Sequence, residues 1–325
     1  MLWAPPSLVG LPCAALLILT PASDQPSGWS QPIAGAIGAV SVALLVIGGG
    51  SGGRLGAVTS AYIVLTTAAF VSLVLLRPDA PLRQALRSVV AAGLACALLI
   101  ALMWGSEAWS GLAWEATRQA SSAMRAIVEV APDAFPIYEP VVRFISLTWP
   151  GMLALQTLAG LTLAWQLHVR IATTGSGAGA AEAAGAAGAA GAAGAAGAAG
   201  AGLARAPLTR FKDFNLGDGW VWGIIAWLGV LILPVSSSLH IAGTNVGLVA
   251  GTLYVLRGAA IVATFAEAFG VSAVALVLMA AAAAALAVPL LFVLPGLCTL
   301  GITDTWYQYR RRLAEARERQ RSNTT

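Results

Sequence analysis

Charge is scarce in this sequence. Of its 325 residues, 10% are Asp, Glu, Lys or Arg, and 58% are hydrophobic. An ordinary soluble domain carries roughly 25% charged residues. So few charges do not cover a water-facing surface, so lipid is the solvent over most of the chain. Histidine is also nearly missing, with two copies, and the three cysteines (Cys13, Cys96, Cys298) stand alone in separate apolar segments. With no CxxC pair and so few histidines, no metal site is expected, and each cysteine reads as a small buried hydrophobe. No cofactor site is expected either. The alternating polarity of barrel strands is absent. A lipid-spanning backbone must satisfy its own hydrogen bonds, so helices remain. The expected fold is all-α, a polytopic transmembrane helix bundle of eight or nine spans. The apolar stretch Leu8–Leu19 lacks the preceding Lys or Arg of a signal peptide. It is expected to stay as a short first helix.

About 20 apolar residues are needed to cross the hydrocarbon. On that measure the spans fall at 7–20, 33–48, 55–76, 86–104, 144–168, 220–239, 246–269, 271–288 and 289–309. Hydropathy alone does not say whether 270–309 holds one span or two. Cytoplasmic loops are rich in Lys and Arg. The segment between His168 and Trp220 carries Arg170, Arg205, Arg210 and Lys212, and residues 310–325 carry six Arg against two Glu. If both are cytoplasmic, an even number of spans separates them, which favours four. The loop with Arg77, Arg83 and Arg87 is then cytoplasmic as well. Residues 105–143, with five carboxylates against three Arg, are external. The expected organisation is an N-terminal membrane half (1–168), a cytoplasmic loop (169–218), a C-terminal membrane half (219–309) and a basic cytoplasmic tail (310–325). The location is a bacterial inner membrane.

Within the external segment, Trp109, Leu112, Ala113, Ala116, Ala120, Ala123, Ile127 and Val130 recur at spacings of three and four. That spacing predicts an amphipathic helix over about 107–131, with Glu115, Arg118, Ser122, Arg125 and Glu129 on its other face and Pro132 and Pro136 ending it. It serves either as a connector or as a lid over a substrate cavity. From 175 to 202 the chain is nearly all Gly and Ala. One Gly in three weakens a helix, and the tract holds no proline for a collagen-like helix, so a flexible linker is expected.

The run Gly48-Gly49-Gly50-Ser51-Gly52-Gly53-Arg54 matches GxGxxG but follows no strand and lacks the Lys-Ser/Thr of a phosphate loop. A tight interhelical turn is expected. No hydrolase elbow, zincin pair or carboxylate dyad is present, and nothing positions His240 beside Ser236–Ser238. Neither a catalytic residue nor an enzyme activity is expected. The tail has no folded basic face for nucleic acid and reads as an anchor beside anionic lipid.

Intramembrane charge is the sharper signal. Arg257 falls inside the seventh span, where an arginine costs about 3 kcal/mol on insertion scales. Such a residue faces the bundle interior and has a partner. Glu267 is ten residues on, roughly 15 Å by helix rise and off the same face. Asn245 opens the same span. Asn245, Arg257 and Glu267 are therefore the candidate substrate-binding residues, with a buried polar contact between helices as the competing reading. Asp304 and Arg311, seven apart, share a helical face. Trp306, Tyr307 and Tyr309 form an aromatic belt ahead of the basic run.

Read together, Phe211-Lys212-Asp213-Phe214 leads into a Trp-rich span, Asn245 opens a helix carrying Leu256-Arg257-Gly258, and Gly301, Asp304 and Arg310 close the set. This order resembles the YybS-like family of bacterial multi-pass membrane proteins, a domain of unknown function, over roughly 211–312. Arg257 departs from that family, where a neutral polar residue often precedes the glycine. The family is distantly similar to the substrate-binding membrane subunits of energy-coupling-factor vitamin transporters. The resemblance implies structural signature positions at Gly258, Gly301, Asp304 and Arg310. It also implies a protein that binds or transports a small solute. The alternative is a non-transporting membrane scaffold or envelope-assembly factor. Expected partners are the lipid bilayer, a small-molecule ligand and a protein at the cytoplasmic face, with no nucleic acid.

Overall fold

The computed structural model describes residues 6–19, 30–51, 53–76, 81–105, 107–130, 135–174, 214, 216–217, 219–272, 275–276, 278–279, 281–282 and 288–324. Among them the regular structure is helical. The Gly/Ala linker 175–202 lies outside the described residues, as does half of the expected span 271–288. The chain divides into two compact units, residues 1–208 and 209–325.

The first unit contains α1 (Ser7–Leu19), α2 (Ser30–Ser51), α3 (Gly53–Leu76), α4 (Pro81–Trp104), α5 (Glu107–Val130) and α6 (Phe135–Thr174). The second contains α7 (Trp220–Ile232), α8 (Ser237–Ala268), α9 (Val288–Tyr307) and α10 (Tyr309–Thr324). Among the described residues four helices are long and apolar enough to cross a membrane: α3, α4, α8, and α6 over Tyr138–Ile171. Shorter apolar helices lie at Ser7–Leu19, Pro32–Ile47 and Trp220–Ile232.

The first unit's core joins Leu55, Val58 and Tyr62 of α3 to Ala92, Cys96 and Ile100 of α4, with Trp149 and Leu153 of α6. Small side chains on α4 let these helices approach closely, which in lipid is the main source of packing energy. The outward face of α4 carries Leu94, Leu98, Leu102 and Met103, all exposed. Apolar side chains directed outward in such number suit hydrocarbon rather than water. Buried hydroxyls bond back along their own helices, Thr66 to the Tyr62 carbonyl and Thr157 to the Leu153 carbonyl, each at 2.7 Å. Neither hydroxyl is thereby offered to lipid.

The amphipathic helix forms as α5, but its inner face is rotated from the expected one. Ala108, Leu112, Ala116 and Ala120 are buried, while Trp109 is 44% exposed and Ala113 faces out. The cause is Glu115, assigned from its charge to the outer face. Its carboxylate accepts hydrogen bonds from the backbone N–H of Leu55 at 2.7 Å and of Arg54 at 3.3 Å. It thus caps the first turn of α3, where four donors lack helical partners and the helix dipole favours an anion. Gly53, at φ 63°, supplies the left-handed residue that starts this turn. The first four residues of the glycine-rich run continue α2 and Gly53 opens α3, so the corner falls at the end of the run and not over its length, and α5 is strapped over it. Glu115→Ala is expected to cost about 1 kcal/mol, as for other lost N-caps, and Glu115→Gln less, read by unfolding in detergent.

Two element boundaries in the second unit differ from expectation. The sixth span was expected over 220–239, but α7 stops at Ile232 ahead of Pro234. The next helix then begins at Ser237, nine residues before the expected 246. Proline lacks the N–H that would continue α7. Helix α8 packs on α7 through Gly243 against Val230 and Gly247 against the Trp227 indole. It packs on α9 through Gly258 against Leu297 and Gly301 against Tyr254. Since the later residue of α8 meets the earlier residue of α9, these two helices run antiparallel. Two full crossings between Gly270 and Tyr309 would have made them parallel. Charge parity does not register a backbone contact made by two glycines.

Candidate functional site

Arg257 projects from the inner face of α8, one turn from Tyr254 and Ile261, both fully buried. Its side chain is 3% exposed. Burying a guanidinium is tolerable only when its donors are satisfied and its charge is opposed. Both conditions are met. Arg257 Nε donates to Asp304 Oδ2 at 3.1 Å, and Nη2 lies 3.0 Å from the same oxygen. Arg257 Nη1 donates to the Leu216 carbonyl at 3.1 Å and to Thr305 Oγ1 at 3.3 Å.

Asp304, 4% exposed, is the hub of the cluster. Besides Arg257, its Oδ2 receives Arg310 Nη2 at 3.4 Å. Its Oδ1 accepts the backbone N–H of Tyr309 at 3.0 Å. That second bond caps α10, because Gln308, at φ 47°, breaks the helix between Tyr307 and Tyr309. Arg310 Nη1 in turn donates to the Phe214 carbonyl at 2.9 Å. Two guanidiniums thus share one carboxylate, and carbonyls from the segment before α7 take the donors left over.

The backbone geometry that permits this is set by Gly258 and Gly301. A Cβ on Gly258 would fall on the carbonyl of Leu297, and one on Gly301 on the carbonyl of Tyr254. With no side chain at either position, α8 and α9 touch backbone to backbone. The short aspartate of α9 is thereby brought within reach of Arg257.

The other expected site residues lie elsewhere. Asn245 sits in the third turn of α8 rather than at its start, and its Nδ2 donates to the Ile241 carbonyl at 2.9 Å. Glu267 is exposed near the C-terminal end of α8. They stand twelve residues before and ten after Arg257, about 18 and 15 Å along the axis by helix rise, so the three do not converge. Nor do Asp304 and Arg311 pair across a shared face. The break at Gln308 ends that face, and Arg311 bonds Glu315 at 2.9 Å instead. Sequence reasoning did not find Leu216 and gave Phe214 only as part of the resemblance, because both act through their carbonyls and so leave no residue-type signal. It also did not pair Asp304 with Arg257, although both charges lay in apolar context. Among the described residues no group of three or more His, Cys, Asp or Glu is placed to hold a metal ion.

Residues 198–305, a third of the chain, match the family model described as "Predicted membrane protein (DUF2232)". The matched stretch takes in Arg257, Gly258, Gly301 and Asp304 and stops before Arg310. Neither a curated protein nor a solved structure matches the chain. Over its C-terminal third, then, the chain is similar to a family of membrane proteins of undetermined function.

Proposed function

We propose that this is a multi-pass protein of the bacterial inner membrane acting as a non-transporting scaffold or assembly factor. The proposed topology has a cytoplasmic C-terminus, with eight apolar helices, α1–α4 and α6–α9, in the membrane. The observation that carries the scaffold reading is the commitment of Arg257 to Asp304, Thr305 and the Leu216 carbonyl. A residue so engaged locks helices together. The same-side placement of loop and tail draws support from the Arg310–Phe214 bond, which sets the start of the tail beside the end of the loop.

Binding or transport of a small solute, the function implied by the YybS-like resemblance and its vitamin-transporter analogy, has weaker support. It needs a polar, hydrated cavity at Arg257. Single-cysteine probes separate the two. With the native cysteines replaced by alanine, Ala250→Cys and Ala260→Cys place thiols on the buried face of α8 on either side of Arg257. A scaffold leaves both unreactive toward a membrane-impermeant thiosulfonate reagent in sealed vesicles, while Ser322→Cys in the tail reacts from the cytoplasmic side. Reaction of either buried thiol would return Arg257 to a solute path. Labelling of Ser322→Cys from outside would reverse the orientation.

A further inference from the structure

We infer that the tail helix α10 is held against the membrane plane and binds anionic phospholipid headgroups. A basic tail alone says little, since it could trail into water. Here the tail is fixed where it begins. Asp304 Oδ1 caps its first N–H, and Arg310 is anchored to Asp304 and to the Phe214 carbonyl. The one-residue break at Gln308 turns the chain so sharply that the Tyr307 and Tyr309 rings stack, with centroids 5.7 Å apart and planes 18° apart. On an uninterrupted helix, residues two apart point in divergent directions. The same bend brings the Arg312 guanidinium back to 6.0 Å from the Tyr307 ring centre. Helix α10 therefore leaves α9 at an angle and does not continue its axis out of the bilayer.

At that corner the exposed side chains are of two kinds. Trp306 is 61% and Tyr307 51% exposed, and such rings settle at the headgroup layer. Next to them stand Arg311 and Arg312, with Arg319 further along α10, all exposed. The carboxylates along the tail's own length are Glu315, paired with Arg311, and Glu318. Positive charge is in excess and lies beside interfacial aromatics at the end of an apolar helix. The partner this chemistry fits is an anionic bilayer surface. An acidic protein would satisfy the charge but would not need the aromatic corner.

The test uses the full chain, free of native cysteines, with a nitroxide on Ser322→Cys. It is reconstituted into vesicles of phosphatidylcholine alone or of phosphatidylcholine mixed with phosphatidylglycerol. In the anionic vesicles the label becomes slow and shielded from a water-soluble collision agent. In neutral vesicles it stays mobile. Salt at ~1 M, where the screening length is about 3 Å, releases it. Combining Arg311→Gln, Arg312→Gln and Arg319→Gln lowers the tail's partition onto the anionic surface roughly a hundredfold. Identical spectra in the two vesicle types would overturn the inference. So would immobilisation that depends on protein density and not on lipid charge, which would make the tail's partner another protein.

Discussion

Replacing Asp304 with alanine is expected to destabilise the fold of residues 209–325 by about 3–5 kcal/mol, the range for removing one partner of a buried pair. The loss has three parts. Arg257 is left charged and buried without its ion-pair partner. Arg310 loses its bond to the same carboxylate, and the first N–H of α10 loses its cap. Arg257→Leu is expected to cost less. Asp304 would still be opposed by Arg310 and by the Tyr309 N–H, and leucine suits an apolar interior. Arg257→Lys does not restore the wild type, because one ammonium cannot reach Asp304, Thr305 and the Leu216 carbonyl together. Equilibrium unfolding of the full-length protein in mixed micelles reads these differences. An Asp304→Ala variant no less stable than Arg257→Leu would show that Asp304 is not the hub.

The second large effect is steric. Gly258→Ala and Gly301→Ala each place a methyl group on a backbone carbonyl of the facing helix, Leu297 and Tyr254 respectively. Backbone cannot rotate away as a side chain can, so α8 and α9 must separate. Overpacking usually costs 1–3 kcal/mol. These two substitutions are expected at or above the top of that range, since separation also draws Asp304 away from Arg257. Gly251 is the control, because nothing lies within 4 Å of a Cβ placed there. Gly251→Ala is expected to be neutral or to stabilise by up to about 1 kcal/mol through helix propensity. Equal losses at positions 251, 258 and 301, measured by retention of folded monomer on heating, would refute the close contact.

What was legible in the sequence follows from how local each signal is. The boundaries of α3 and α5 lie within two residues of expectation because Gly53 and Pro132 mark them and periodicity fills them. The end of α7 at Ile232 was missed because hydropathy runs on through Leu233, Pro234 and Val235, although Pro234 offered the cue. Rotation of α5 was missed because Glu115 was assigned by charge, whereas a carboxylate at a helix start is a buried-side ligand. At the centre, Arg257 was singled out by the cost of its burial, and Gly258, Gly301, Asp304 and Arg310 by their order along the chain. The bond between Arg257 and Asp304 was not legible, because a separation of 47 residues is bridged only by the approach of α8 and α9. Residue type likewise gives no hint of the Leu216 and Phe214 carbonyls.

The most direct measurement is a double-mutant cycle on Arg257 and Asp304, with leucine at each position singly and together, read by unfolding free energy in the same micelles. A structural lock predicts strong coupling: the double variant is no less stable than Asp304→Leu alone, and the interaction term exceeds about 1 kcal/mol. Strictly additive losses would mean that the two charges do not depend on each other, and that Arg257 serves some partner other than Asp304.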